Sequence, residues 1–263
     1  MDLIQNINKP VFIIAHKYYR GYESYSEYYV QTIQKFYEDT LIIFVDNNST
    51  HKEDIFVKLR QYRNVVLLDN NIDCKFEIGA YQVGLKFLID NSLINNYSYI
   101  VLTQDTFILK NKLDFNTLHN EDVKACTINT YFQDGMMQGI SNEVLSKLGL
   151  LDNLDKCTFC WCCSFIISTS NVVRLYDYFK KIVITNRTES CAAERYLARI
   201  IWELNDHQNY DIDGDIRYLG DKWNNIPNPD PKYDCHTVNP FDDNISTFFV
   251  KRAQQKTEVT VDK

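Results

Sequence analysis

Glycine and proline are scarce in this chain, 8 and 5 residues in 263. No low-complexity block, internal repeat or Gly/Pro-rich linker interrupts it, so one large domain with a substantial core is the economical organisation. Positive charge is short as well: 28 Lys and Arg stand against 35 Asp and Glu, a net charge of −7. That argues against nucleic acid, which demands a basic face. It does not exclude a phosphorylated small molecule, because one metal ion neutralises a diphosphate locally. No stretch approaches the ~20 apolar residues of a transmembrane segment. Residues 1–10 lack a basic region followed by an apolar one, so no signal peptide is expected. The eight cysteines then read as reduced thiols and the protein as cytoplasmic. The sequons at Asn48, Asn96, Asn186 and Asn244 carry no glycan on that reading.

Apolar and aromatic side chains are abundant. Hydrophobic residues make up 45% and charged residues 24%, the balance of an ordinary globular protein. The 18 Tyr and 15 Phe suit stacking on carbohydrate or nucleotide rings, and equally follow from AT-rich coding. Strand and helix patterns alternate through the first half. Residues 11–16, 41–45, 64–68 and 99–109 read as buried strands, and 22–37, 53–62 and 78–89 as helices. Tyr25, Tyr29, Ile33, Phe36 and Tyr37 line one face of the first helix; Tyr81, Leu85, Leu88 and Ile89 line the third. This alternation predicts a parallel sheet with helical crossovers.

The second half is less regular. Strands are expected at 125–129 and 159–168 and helices at 141–148 and 171–178. Ser190 reads as the cap of a helix ending at Leu204, with Tyr196, Leu197, Ile200, Ile201 and Leu204 as its apolar stripe. Beyond Asp206 the pattern is that of loops, and residues 251–263 read as a flexible tail.

Asp105 is the most informative residue. It interrupts the apolar run of residues 99–109, and burying an unpaired charge is costly. A buried strand that delivers a carboxylate at its carboxyl end delivers it to a ligand, because ligands gather outside the strand ends of open α/β sheets. A structural alternative is a buried Asp paired with a neighbouring helix start.

Four other motifs occupy comparable positions. Ile14-Ala15-His16 closes the first strand. Asp46-Asn47-Asn48-Ser49-Thr50 closes the second, where Asp46 is equally suited to an Asx turn or a helix cap. Asn71 to Tyr81 opens the third helix; Gly79 there permits close backbone approach, while Glu77 either faces a ligand or answers the helix dipole. Glu189 and Glu194 lie on the late helix, where Glu194 is either a reactive carboxylate or a solvated partner of Arg195 or Arg199.

As an ordered series these motifs resemble the GT-A glycosyltransferases, especially the family 2 type, over roughly residues 10 to 240. The resemblance implies an α/β fold: a single-domain, GT-A-like open, mainly parallel sheet flanked by helices. Residues 1–250 would form the domain, with a Rossmann-like nucleotide-sugar half at 10–110 and a less regular acceptor half at 111–250. It implies a nucleotide-diphosphate sugar donor bound by Ala15, His16, Asp46, Asn48, Glu77, Gly79, Thr103, Gln104 and Asp105. Thr103 departs from the family's Asp-X-Asp motif, leaving Asp105 with the diphosphate to hold Mn²⁺ or Mg²⁺. His236 is a candidate late metal ligand, with His207 as its competitor. Glu194, with Glu189 as fallback, would be the general base that takes the proton of a glycan or other hydroxyl-bearing acceptor, implying inversion. Trp161 and Trp223 would stack on sugar faces, although Trp is more often buried.

Cys157, Cys160, Cys162 and Cys163 invite a zinc reading, but the apolar residues that follow suggest a core strand in which Cys acts as a small hydrophobe. Three other functions compete with the glycosyltransferase reading: a nucleotidyltransferase, a catalytically silent nucleotide- or glycan-binding domain, and a zinc-stabilised interaction module. The first would need a Gly-rich phosphate loop where His16-Lys17-Tyr18-Tyr19-Arg20 stands. The second is favoured by Thr103.

Overall fold

The computed structural model describes residues 9–17, 23–115, 123–128, 135–150, 159–204 and 249–251. Strands and helices alternate through β1 (Pro10–His16), α1 (Glu23–Phe36), β2 (Ile42–Asp46), α2 (Glu53–Leu59), β3 (Val65–Asp69), α3 (Phe76–Asp90) and β4 (Tyr99–Gln104). After them come β5 (Phe107–Leu109), β6 (Val123–Ile128), α4 (Gly135–Leu148), β7 (Phe159–Ser168), α5 (Val172–Phe179), α6 (Arg187–Leu204) and β8 (Phe249–Lys251).

The sheet runs β3-β2-β1-β4-β7-β6. β3, β2, β1 and β4 are parallel; β7 is antiparallel to β4, and β6 is antiparallel to β7. The expected open, mainly parallel α/β sheet is therefore observed. Its strand order reverses at β1, with β2 and β3 on one side and β4 on the other. In open sheets that reversal opens a crevice between the carboxyl ends of the two diverging strands.

The β1 strand is central because both of its faces are apolar. Val11 and Ile13 pack into one core layer with α3, α5 and α6; Phe12 and Ile14 pack into the other with α1, α2 and β5. Each such fully buried side chain contributes roughly 1.5–3 kcal/mol. Close seating of α3 on β1 depends on Gly84, where an added Cβ would lie 2.5 Å from Ile13 Cγ2.

Three of the expectations that bear on the site need correction. The single strand predicted at 99–109 is two: β4 ends at Gln104, the chain turns at Asp105 and Thr106, and β5 pairs with β8 in a separate two-stranded sheet. Residues 107–109 are apolar because they enter the core layer under α1, not because β4 continues. Ser190 is not a helix cap. The α6 helix starts at Arg187, where Asn186 Oδ1 accepts the Glu189 amide at 3.0 Å, and Ser190 is buried one turn in. The third helix begins two residues earlier than expected, at Phe76, which places Glu77 in its first turn.

Candidate active site at the sheet switch point

The carboxyl ends of β1 and β4 are joined twice. The Asp105 amide donates to the Ala15 carbonyl at 3.0 Å, extending the ladder by one bond past β4. This swings the Asp105 side chain over the end of β1, where His16 Nδ1 donates to Asp105 Oδ2 at 2.5 Å. An ionised carboxylate only accepts, so the hydrogen sits on Nδ1. His16 is buried, and its ring packs on Phe44 with centroids 4.8 Å apart. Its Nε2 faces Asp46 Oδ1 at 3.8 Å, beyond hydrogen-bond reach. The imidazole thus lies between two carboxylates at the crevice. The second Asp105 oxygen, Oδ1, has no partner among the described residues.

Lys17 follows directly and is exposed. Its Nζ donates to the carbonyls of Asn47 and Asn48 at 2.7 and 3.1 Å, and its amide lies 3.4 Å from Asp105 Oδ2. Asn48 holds a left-handed φ of 53°, which Asn tolerates better than most residues. Asp46 is fully buried, and its Oδ2 accepts the Ser49 amide at 2.7 Å in an Asx turn, the alternative to the expected donor contact.

A second group of residues lies on the α3–α6 side. Gln104 Nε2 donates to Glu77 Oε1 at 2.7 Å and to the Cys162 carbonyl at 3.0 Å. Ser190 Oγ donates to Glu77 Oε2 at 3.1 Å, so both Glu77 oxygens are engaged. The Cys162 amide donates to Glu194 Oε1 at 2.8 Å. Glu194 and Glu77 therefore flank one stretch of β7, and Gln104 ties that stretch to the end of β4.

That stretch is strained. Cys162 and Cys163 have φ of 55° and 50°, and the β6–β7 register shifts between Ala125 and Thr127 beside them. Phe76, next to Glu77, has φ of 58°. Side chains of this size avoid the left-handed region, and such residues persist where the surrounding structure over-determines them, most often at functional sites. Of the five non-glycine residues with positive φ among those described, four lie beside residues named above: Asn48 two past Asp46, Phe76 before Glu77, and Cys162 and Cys163 in β7.

Some predicted site residues have other duties. Thr103 is fully buried on the α1 side of β4, its Oγ1 2.8 Å from Tyr29 Oη, so it does not line the crevice. Gly79 is required by packing within the protein: an added Cβ would sit 2.0 Å from the Cys74 carbonyl and 2.6 Å from Asn70 Nδ2. Glu189 holds the start of α6, accepting the Thr185 amide at 2.6 Å and its hydroxyl at 3.0 Å. The Thr185 amide above all holds its carboxyl below the usual range. Trp161 lies on β7, but its side chain is outside the described residues, as are His236, His207 and Trp223.

A hard divalent cation needs several oxygen ligands. Among the described residues Asp105 offers one open oxygen, Thr103 is turned away, and no group of three or more His, Cys, Asp or Glu side chains is disposed to hold a metal. These residues do not make a Mn²⁺ or Mg²⁺ site by themselves. Cys160, Cys162 and Cys163 are buried and belong to no disulfide among the described residues, Cys162 in one core layer and the other two in the opposite one. Burial pushes the Cys163 thiol well up, so it stays protonated and behaves as a core residue. Cys157 lies outside the described residues.

Three participants escaped sequence reasoning. Lys17 had a readable signal, a basic residue directly after a strand that ends at a site. Ser190 reads as a helix cap by its residue type, and nothing in the sequence marks the left-handed turn at Cys162.

No protein-family model and no curated protein matches the sequence. Similar solved structures include core-mannan synthase A from Aspergillus fumigatus in its Mn/GDP form, 7% identical with a TM-score of 0.40 over 75% of this chain and 73% of that one. The mannosyltransferase Ktr4p from S. cerevisiae is 7% identical with a TM-score of 0.41, covering 72% of this chain and 62% of Ktr4p, under two thirds of that protein. The galactosyltransferase LgtC, solved with donor and acceptor sugar analogs, is 11% identical with a TM-score of 0.39 over 71% of each chain. No helix among the described residues is long and apolar enough to cross a membrane. The solved structures are GT-A-type glycosyltransferases, and the chain is similar to them in its open, mainly parallel sheet flanked by helices.

Proposed function

We propose that the chain is a glycosyltransferase that moves a sugar from a nucleotide-diphosphate donor to an acceptor hydroxyl with inversion. The observation that carries this reading is the His16–Asp105 hydrogen bond across the switch point, where open α/β sheets bind nucleotides. The donor lies over Ala15, His16, Asn48, Gln104 and Asp105, and Asp105 Oδ1 accepts a donor hydroxyl. Glu194 takes the acceptor proton as the oxygen attacks the anomeric carbon, since a hydroxyl is a poor nucleophile until deprotonated. Its Oε1 is oriented by the Cys162 amide, and that bond keeps the carboxylate beside the bulge in β7. Glu189 is held in the helix cap and leaves the base role to Glu194. Glu77 and Gln104 brace the strand between them. Trp161 would stack on the acceptor sugar.

The test is release of nucleoside diphosphate from a panel of nucleotide sugars, with mono- and oligosaccharide acceptors. Acceptor-dependent release that falls about 10²–10⁴-fold in Glu194→Gln, with donor affinity kept, supports the reading. Unchanged turnover in that variant removes Glu194 and the inverting assignment. A second reading, a silent nucleotide- or glycan-binding domain, is favoured by the internal bonds already made by Asp105 and Glu194. Binding without turnover on any acceptor would select it.

A further inference from the structure

Resting on the nucleotide-sugar reading, we infer that Lys17 holds the donor's diphosphate and that donor binding here does not require a divalent cation. A diphosphate at the crevice needs positive charge, and the candidates there are a metal ion or a side chain. The donor set fits a metal poorly. Asp105 Oδ2 is taken by His16 Nδ1 at 2.5 Å, and the Thr103 hydroxyl, where the resembling family has its first acid, is 2.8 Å from Tyr29 Oη in the core.

Lys17 fits the task. An ammonium carries three hydrogens, and two of them point at the carbonyls of Asn47 and Asn48 at 2.7 and 3.1 Å. Those bonds fix the head group of an otherwise mobile side chain at the carboxyl ends of β1 and β2, with one hydrogen left over. Among the described residues Lys17 has no carboxylate within ion-pair distance, whereas Lys52, farther along the same edge, is spent on Asp69 at 2.5 Å. An exposed, positioned and uncompensated ammonium beside a nucleotide crevice is a phosphate ligand in the manner of a point charge. The Lys17 backbone amide lies 3.4 Å from Asp105 Oδ2, so the residue that carries the cation adjoins the His16–Asp105 pair.

The test is isothermal titration of UDP, GDP, ADP, CDP and dTDP into the full chain, each in EDTA and again in Mn²⁺. The diphosphate that binds is expected to do so in EDTA within about threefold of its affinity in Mn²⁺. Lys17→Met should weaken it about tenfold or more, a charge-assisted bond's worth, while the corresponding nucleoside binds wild type and variant alike. Lys17→Arg, which keeps the charge, should retain most of the affinity, and melting temperatures establish that both variants fold. Binding that appears only with Mn²⁺ overturns the inference and leaves the nucleotide-sugar reading standing. Equal diphosphate affinity in wild type and Lys17→Met removes Lys17 from the site. Binding of none of the five in either buffer overturns both.

Discussion

Thr103 stands where the resembling family carries an acid, and its surroundings make a sharp forecast. Its hydroxyl and that of Tyr29 are fully buried and 2.8 Å apart. Burial also pushes the Tyr29 phenol up, so it stays protonated over the accessible pH range. Removing either hydroxyl alone leaves the other desolvated without a partner, a loss of about 1–3 kcal/mol. Removing both leaves no polar atom to satisfy, and Thr103→Val keeps the side-chain shape. The Tyr29→Phe/Thr103→Val double variant should therefore lie within about 1 kcal/mol of wild type, although each single variant is clearly weaker. The implied coupling is about 1 kcal/mol or more, as for residues in direct contact. For a chain of this length that is read as about 2–4 °C of melting temperature per kcal/mol, or from denaturant midpoints at constant slope. Nucleotide binding should be the same in Thr103→Val and wild type. Additive losses across the cycle would show that the hydroxyls do not interact. Weakened nucleotide binding in a fully stable Thr103→Val would show that this side chain faces the crevice after all.

Two further outcomes follow from the same geometry. Gly79→Ala should lower stability by about 1–3 kcal/mol in a thermal melt, because the new Cβ meets the Cys74 carbonyl at 2.0 Å; a gain of about 1 kcal/mol, the helix-propensity benefit alone, would refute that packing. Glu189 has a depressed carboxyl in the folded state, so its contribution is present above the unfolded carboxylate range and fades as pH falls through the folded value. Glu189→Gln should accordingly melt lower than wild type at neutral pH and converge with it in acid, and a difference that persists unchanged in acid would contradict the cap assignment.

Much of the frame was legible because it depends on local pattern. Apolar, β-branched runs at residues 11–16 and 41–45 read as interior strands, and the helical stripe between them implies a crossover. A parallel sheet, and a carboxylate of interest at Asp105, follow from that much. Position 103 shows where such reasoning stops. Alternation along a strand says that Thr103 and Gln104 face opposite ways, but the sequence does not say which way leads to the crevice. The structure sends Thr103 to Tyr29 and Gln104 to Glu77. Glu189 and Glu194 pose the same problem on α6: five residues apart and alike in chemistry, they part company because one lies in the first turn and the other reaches the Cys162 amide.

The sequence by itself determined the alternation of strands and helices through the first hundred residues and which residue types could do chemistry, because propensity, periodicity and desolvation cost act over a few neighbours. Only the tertiary structure decided the partners: His16 with Asp105 from 89 positions away, Ser190 with Glu77 from 113, and Gln104 with Cys162 from 58. Those pairings come from the order of strands and from a left-handed bulge in β7. Both are settled by how two core layers close around the sheet, a condition on the whole chain that no short window of it contains.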